Sequence, residues 1–149
     1  WAPWRMSYIR NPKAKRCIFC NPDYVILKTA HSIAMLNIFP YNNGHMMVAP
    51  LKHIKDISQL SEAEAIDLFG VINKTKTLLD KILKPQGYNI GINLSRAAGA
   101  GIPGHLHIHI VPRWNGDANF MPVIARTKVI SQSIEELYKQ LKHAKSKTA

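Results

Sequence analysis

The 149-residue chain has few cysteines, few acidic residues and no long hydrophobic run. No apolar stretch approaches the roughly 20 residues that cross a bilayer. No signal peptide is evident either, which predicts a soluble, cytoplasmic protein with no membrane partner. Hydrophobic residues still make up 46% of the chain, enough for a buried core. The length fits a single domain, 1–149, in which we expect an N-terminal arm (1–16), a core (17–114) and a C-terminal extension with a helix (115–149).

Acidic residues are scarce, since 9 Asp and Glu against 20 Lys and Arg give a formal net charge of +11. Such an excess attracts polyanions, whether nucleic acid, an acidic membrane or a phosphorylated small molecule. Much of it lies in two runs, Arg10–Arg16 and Lys139–Lys147. Neither run interleaves aromatic residues with side chains that read bases, so nucleic acid is not favoured as a partner. A basic surface without a specific partner is the alternative for these runs.

Only two cysteines are present, Cys17 and Cys20, in a C-x-x-C pair. Such a pair forms a disulfide, a redox centre or half of a metal site. A thioredoxin-like centre needs a βαβ context, which the proline- and lysine-rich stretch around the pair does not offer. A tetrahedral zinc ion would need two more ligands from elsewhere in the chain. Two free thiols without a metal are the alternative.

The pattern of apolar and turn-forming residues predicts an α+β fold. A capping box formed by Ser61 and Glu64 begins a long helix, and Pro85 and Gly87 end it. The apolar stripe expected to face the core consists of Ala65, Phe69, Ile72, Leu79 and Ile82. Strands are predicted at 24–28, 32–38, 45–49, 88–93 and 105–111, and a second helix at 133–142. Because most connections are too short for parallel crossovers, we expect an antiparallel sheet with helices on one face.

Three of the seven histidines, His105, His107 and His109, occupy alternate positions. Side chains of a strand alternate between its faces, so these imidazoles are expected on one face, about 6.5–7 Å apart. The intervening residues then face a helix: Leu106, Ile108 and Ile110. Glycines just upstream let backbone N–H groups approach an anion: Gly99, Gly101 and Gly104. A row of imidazoles beside a glycine-rich loop favours binding of a phosphate group.

The same pattern suits nucleophilic chemistry at phosphorus. A neutral imidazole can attack a phosphoanhydride to form a covalent nucleotidyl–histidine intermediate, while a neighbouring histidine donates a hydrogen bond to the phosphate oxygens. His107 can be flanked on both sides, which makes it the best nucleophile candidate. Two alternatives stay open at this point: alternate histidines on a strand also bind metals, and the pattern can be a surface accident.

The segment His105–Val111 resembles the histidine triad motif, in which three histidines alternate with apolar residues. Further landmarks similar to those of that family follow in the same order: Pro40–His45, Val48–His53, Asn93 and the glycine-rich loop. The similarity covers about residues 17–114. The segments 1–9 and 112–122 resemble the bacterial diadenosine tetraphosphate phosphorylase branch of the family.

The resemblance implies a five-stranded antiparallel sheet with two helices, usually paired as a homodimer. It implies transfer or hydrolysis at the α-phosphate of an adenosine-containing substrate. His107 matches the nucleophile, and His109 matches the residue that contacts the phosphate and helps the leaving group. Asn37 matches a ribose-contacting position, and Asn93 and Gly101 fall near the phosphate-binding positions.

The resemblance also implies a metal site. In family members with a C-x-x-C pair, two histidines join the cysteines, and here these are His53 and His105, the first histidine of the triad. With Cys17 and Cys20 they would form a closed structural zinc site of two thiolates and two imidazoles. Such a site would fasten the N-terminal arm to the catalytic strand and leave no open position for metal catalysis.

Two residues follow the predicted catalytic strand directly. Arg113 is expected to neutralise distal phosphates and Trp114 to stack on a base, with a packed Trp and a solvated Arg as the alternative. His31 and His143 are expected at the surface. His45 is expected to support the turn before its strand rather than the chemistry.

Together these features predict an enzyme that cleaves dinucleoside polyphosphates through an adenylyl–His107 intermediate. A phosphorylase would pass the adenylyl group to inorganic phosphate and yield ADP and ATP, whereas a hydrolase would release AMP. A hydrolase of nucleoside phosphoramidates and a non-catalytic nucleotide- or RNA-binding module are the alternatives. The intact triad argues against the module, because binding alone does not need His107.

Overall fold

Five strands form one antiparallel sheet in the order β1-β2-β3-β5-β4, which confirms the predicted fold class. The structure is a computed structural model that describes residues 16–117 and 132–146. The strands are β1 Val25–Lys28, β2 Ser32–Leu36, β3 Met46–Pro50, β4 Gly87–Ile92 and β5 Ile108–Arg113. The expectations about residues 1–15 and 118–122 lie outside the described residues.

Two α-helices accompany the sheet in the described part of the chain, α1 Glu62–Leu83 and α2 Ile134–Ser146. α1 begins at the predicted capping box: the Glu64 N–H donates to the Ser61 hydroxyl at 3.3 Å, and the Ser61 N–H donates to the Glu64 carboxylate at 2.8 Å. It ends at Lys84, whose backbone is left-handed with φ 48°. Within residues 16–117 and 132–146, no helix combines the length and apolar character needed to cross a membrane.

The buried stripe of α1 differs in part from the predicted one. Ile72 and Leu79 are buried as predicted, but Phe69 is 67% exposed, so its assignment to the core is wrong. Each residue turns the helix by about 100°, and burial of Leu68 against the sheet turns the adjacent Phe69 outward. The buried side chains of α1 are Leu68, Val71, Ile72, Thr75, Leu78 and Leu79.

The two faces of the sheet are covered differently. On one face Ile108 and Ile110 share a core with α1 and with Leu137 and Leu141 of α2, as predicted for these two residues. Leu106, the third residue predicted to face a helix, is buried but is not part of this core. On the other face Phe19 covers a smaller apolar cluster, whose strand residues are Ile33, Met35, Met47 and Ala49. This second face is the one on which His107 and His109 lie.

β5 starts at Ile108, later than predicted. Its ladders with β3 and β4 both begin there, opposite Val48 and Ile92. Upstream, the Leu106 N–H donates to a loop carbonyl, that of Ile54, at 2.6 Å, so the chain has left the sheet. The strand prediction is therefore wrong for residues 105–107, although the rings of His105 and His107 both contact Phe19, with centroids 5.1 and 4.8 Å from its ring.

The turn between β2 and β3 is closed by backbone hydrogen bonds on both sides of its last residue, His45. The Asn37 N–H donates to the His45 carbonyl at 2.9 Å, and the His45 N–H donates to the Asn42 carbonyl at 3.2 Å. Gly44 has φ +74°, and a Cβ at this position would collide with the Leu83 side chain. Glycine is therefore favoured here by the left-handed backbone, and the Leu83 side chain would have to shift to admit a Cβ.

Candidate active site and metal site

The triad residues His107 and His109 meet at the start of β5. Their ring centroids are 5.0 Å apart and the rings are nearly perpendicular, at 76°. His107 is buried and His109 half-buried. Directly across the ladder from His109 lies Gly91 of β4, where a Cβ would have no neighbour within 4 Å among the residues that the structure describes. Within residues 16–117 and 132–146 the sheet therefore leaves open space beside the His109 imidazole.

The orientation of the His107 ring is set by the backbone of its own segment. His107 Nδ1 lies 2.8 Å from the His105 carbonyl oxygen, which can only accept, so Nδ1 carries the proton. Burial lowers the pKa of His107, and this effect outweighs the hydrogen bond to the His105 carbonyl, which raises the pKa. The ring is therefore neutral at neutral pH. A neutral imidazole protonated on Nδ1 has its lone pair on Nε2, as a nucleophile requires. Phe19 stacks on the ring, with centroids 4.8 Å apart and an interplanar angle of 28°.

His109 has a close partner on the other side, His45. The distance from His45 Nε2 to His109 Nδ1 is 2.9 Å, and the Tyr41 ring packs beside both imidazoles. Burial, followed by the electrostatic effect of the neighbouring His107 imidazole, lowers the pKa of His109 to about 4. Burial, with smaller effects of His109 and His107, lowers the pKa of His45 to about 3. Both rings are therefore neutral at neutral pH.

The four side chains expected to bind a metal lie together: the ligand atoms of Cys17, Cys20, His53 and His105 are within 4.8 Å of one another. His105 Nε2 is 2.9 Å from the Pro50 carbonyl oxygen and donates to it, which leaves Nδ1 unprotonated and facing the sulfurs. Cys17 and Cys20 are free thiols, so no disulfide competes for them.

The spacing of these atoms fits a tetrahedral ion. With metal–sulfur and metal–nitrogen bonds of the lengths found for zinc, neighbouring sulfur and nitrogen ligands are about 3.5 Å apart. The three short sulfur–nitrogen distances in the cluster are 3.2 Å (Cys20 to His53), 3.3 Å (Cys17 to His105) and 3.7 Å (Cys20 to His105). Two thiols and two imidazoles are a donor set that a structural zinc ion prefers.

The cluster of two cysteines and two histidines is physically joined to the triad. His105 contributes its ring to the cluster and its carbonyl to the Nδ1 proton of His107. Phe19 lies between the two cysteines in sequence and stacks on His107. The segment that carries the two thiols therefore also packs against the ring of His107, the candidate nucleophile.

The residues expected to bind substrate lie in three places. Asn37 is almost buried, with its amide between the Phe39 N–H and His45 Nδ1. Asn93 follows Ile92, the partner of Ile108, and is therefore next to His107 at the end of β4. Gly101 is exposed in the loop before the triad. That loop folds back on Asn93, since a Cβ at Gly99 would be 3.6 Å from the Asn93 amide nitrogen.

Arg113 and Trp114 lie at the other end of β5 from His107 and His109. Arg113 is four residues from His109 on the same strand, which corresponds to about 13 Å. Its guanidinium forms a two-point ion pair with Asp117, with distances of 2.7 and 2.8 Å, and donates to Asn89 at 2.6 Å. Half-buried Trp114 donates its backbone N–H to Asp117 at 3.3 Å. The structure therefore does not bring these two residues to the triad, and the Arg113 charge is already compensated.

Three residues that the sequence pattern did not indicate lie in the site: Phe19, Tyr41 and His45. Both faces of β3 are buried, so its sequence is continuously apolar and shows no alternation that would place His45. In the observed register Met47 faces His109, and His45, two residues earlier, shares that face. The expectation that His45 supports its turn is correct for its backbone but omits the contact of its ring with His109.

The fold and the alternating histidines are those of a histidine triad protein. The HIT domain family matches residues 19–116, and the chain belongs to this family. The AP-4-A phosphorylase of Mycobacterium tuberculosis is 32% identical over 152 residues, which span 91% of this chain and 78% of that protein. An adenosine 5'-monophosphoramidase of Schizosaccharomyces pombe is 32% identical over 105 residues, which span 66% of this chain and 75% of that protein.

Solved structures agree with this assignment. The crystal structure of a zinc-bound histidine triad family protein from Mycobacterium smegmatis has a TM-score of 0.72 and 25% identity, and the alignment covers 91% of this chain and 96% of that one. The chain is thus a member of a family in which relatives act on dinucleoside polyphosphates and on phosphoramidates.

Proposed function

We propose that this protein is a nucleotidyltransferase that cleaves dinucleoside polyphosphates such as diadenosine tetraphosphate, with His107 as the nucleophile. The observation that carries the proposal is the hydrogen bond from His107 Nδ1 to the His105 carbonyl, which leaves Nε2 with its lone pair. The similarity to a phosphorylase over 91% of the chain supports the substrate class.

The reaction would proceed in two displacements. His107 Nε2 attacks the α-phosphorus, a phosphorus–nitrogen bond forms, and the phosphorus–oxygen bond to the leaving nucleoside polyphosphate breaks. An oxygen of inorganic phosphate then attacks the adenylyl–His107 intermediate, which releases ADP and restores the imidazole. His109 would donate a hydrogen bond to the phosphate during both steps. Asn93 and the loop with Gly101 would hold the phosphate chain, and Asn37 the ribose.

The cluster of Cys17, Cys20, His53 and His105 would hold a structural zinc ion. All four positions of a tetrahedral ion are then filled by protein, so the ion supplies stability and no reaction chemistry. The role of the four side chains in the reaction is indirect: they fix the backbone of His105, whose carbonyl orients the His107 ring.

The products formed from diadenosine tetraphosphate test this function. We expect equal amounts of ADP and ATP, formed only when inorganic phosphate is present, and we expect radiolabelled phosphate to appear as the β-phosphate of ADP. The measurement is anion-exchange separation of the nucleotides after incubation with and without phosphate.

The other products would identify the alternatives. AMP and ATP formed without phosphate would make the protein a hydrolase. Cleavage of adenosine 5'-phosphoramidate in preference to the tetraphosphate would favour the activity of the yeast relative. A folded, zinc-loaded sample that binds nucleotide and turns over neither substrate would contradict an enzymatic function and leave a binding module.

The predicted homodimer has a candidate surface on β4 and α1. β4 is an edge strand of the sheet, and its Ile90 and Ile92 are exposed. Exposed Phe69 lies on the same side of α1 as Lys76 and Asp80, which contact Tyr88 of β4. An edge strand beside an apolar patch suits pairing with a second copy through a two-fold axis.

Replacing Phe69 with glutamate should therefore convert the dimer to a monomer, since the charge would lie in an apolar interface. The measurement is the molar mass by light scattering over a range of concentrations. Ile57→Glu is the matched control, because Ile57 is also an exposed apolar residue, at 47%, and belongs to a 3-10 turn outside β4 and α1. A wild-type chain that is monomeric at all concentrations, or a Phe69→Glu variant that stays dimeric, would contradict the proposed surface.

A further inference from the structure

The ring nitrogen of His45 that faces its turn is an acceptor. His45 Nδ1 lies 3.0 Å from the backbone nitrogen of Tyr41, and a backbone N–H can only donate. The amide nitrogen of Asn37 lies 3.3 Å from the same atom. The orientation of this amide is fixed, because Asn37 Oδ1 accepts from the Phe39 N–H at 2.9 Å and the NH₂ group therefore faces His45. Two donors directed at Nδ1 exclude a proton from it.

The proton of His45 must then be on the opposite nitrogen. His45 is 1% exposed, and burial is the largest cause that lowers its pKa to about 3, so the ring is neutral and carries one proton. With Nδ1 unprotonated, that proton is on Nε2, 2.9 Å from His109 Nδ1. His45 Nε2–H therefore donates to His109 Nδ1.

The position of the His109 proton follows from the contact of His109 with His45. His109 is neutral, and its Nδ1 accepts from His45, so its one proton is on Nε2. We propose that His45 is a positioning residue that holds His109 in the tautomer with its proton on Nε2, so that His109 always presents an N–H donor to a phosphate oxygen. This deepens the proposed function and rests on it only for the identity of the phosphate.

The arrangement also limits what His109 can do. Loss of the Nε2 proton would leave an imidazolate, because Nδ1 carries no second proton, and an imidazolate is far too basic to form at neutral pH. His109 therefore stabilises charge on the phosphate by hydrogen bonding. The leaving nucleotide departs as an anion, which a phosphoanhydride permits because its leaving group is a stable phosphate.

The tautomer can be measured directly in the free protein. Long-range proton–nitrogen correlation spectra of the ¹⁵N-histidine-labelled chain at neutral pH distinguish protonated from unprotonated ring nitrogens, and His109→Asn assigns the His109 signals. We expect unprotonated Nδ1 and protonated Nε2 for both His45 and His109. A His109 with a protonated Nδ1, or with both tautomers in comparable amounts, would overturn the proposal.

Variants of His45 test whether the tautomer of His109 depends on the His45 ring. His45→Phe keeps a ring but removes the donor, so His109 should populate both tautomers, and kcat should fall by about tenfold to a hundredfold with a smaller change in KM. His45→Gln can accept from Tyr41 and donate to His109, and should restore part of the single tautomer and part of kcat. His31→Phe is the control at an exposed histidine and should change neither. A folded His45→Phe variant whose His109 keeps the wild-type tautomer would also overturn the proposal.

The two proposals fail separately. If the expected tautomer is present and diadenosine tetraphosphate is not cleaved, the positioning role of His45 stands and the substrate assignment fails. If the substrate is cleaved through His107 and the His109 tautomer is wrong, the function stands and the role of His45 fails.

Discussion

His107→Ala lacks measurable turnover of diadenosine tetraphosphate, a loss of about 10⁴-fold or more, while adenine nucleotide still binds. This is the expected result because the imidazole Nε2 forms the only covalent bond between protein and substrate in the proposed mechanism. The hydrogen bond from Nδ1 to the His105 carbonyl orients the lone pair but supplies no chemistry of its own. Steady-state kinetics and nucleotide binding by calorimetry measure the two effects separately.

A second substitution separates the missing nucleophile from a disturbed fold. His107 is buried against Phe19, so alanine leaves a cavity and reduces stability. Asparagine can place an amide N–H near the position of Nδ1 and keep the bond to the His105 carbonyl, yet it has no nucleophilic nitrogen. His107→Asn should therefore remain folded and inactive, and His31→Asn, at an exposed histidine, should remain active. Undiminished turnover in either His107 variant would exclude the assigned nucleophile.

The covalent intermediate is a more direct test of the same residue. In reactions quenched without phosphate, intact-protein mass spectrometry should show wild-type chains heavier by one adenylyl group, attached at His107. The His107→Asn variant should show none. Wild-type protein that consumes substrate and never carries the added mass, even with a slow analogue, would contradict a two-displacement mechanism.

The sequence pattern predicted the face of β5 but not its first residues. Alternation correctly separates His107 and His109 from Ile108 and Ile110, because burial of one face fixes the register of a strand. The pattern does not predict that the ladder begins only at Ile108. The His105 ring lies with Cys17, Cys20 and His53, and the Leu106 N–H donates to the Ile54 carbonyl, so tertiary contacts end the strand earlier than the local period predicts.

Other parts of the site depend on contacts that no local pattern contains. The bond between His45 and His109 joins residues 64 positions apart, and it follows from the pairing of β3 with β5. The compensation of Arg113 by Asp117 depends on the conformation of the turn that follows β5. The exposure of Phe69 depends on the rotation of α1 about its axis, which an apolar period alone defines only to within about one residue.

Removal of the proposed zinc ion should have the second largest effect, on the stability of the folded chain. If zinc binds only the folded chain, it stabilises the chain by about 4 kcal/mol at a free concentration a thousandfold above Kd. For a chain of this size that corresponds to a shift of about 8 to 16 °C in the melting temperature. We therefore expect purified protein to contain one zinc ion per chain, and a chelator to lower its melting temperature by about 10 °C under reducing conditions.

The cysteine variants show whether the effect arises at the proposed site. Cys17→Ser with Cys20→Ser should contain no zinc, melt near the temperature of the chelated wild type and be insensitive to chelator, whereas His143→Ala, outside the cluster, should behave as wild type. Because the cluster fixes the His105 carbonyl and Phe19, kcat should fall on chelation and recover when zinc is returned. Full zinc content in the double variant would place the ion at another site. A wild-type melting temperature that does not change when chelator is added would mean that the four side chains lie together as free thiols and imidazoles without a metal.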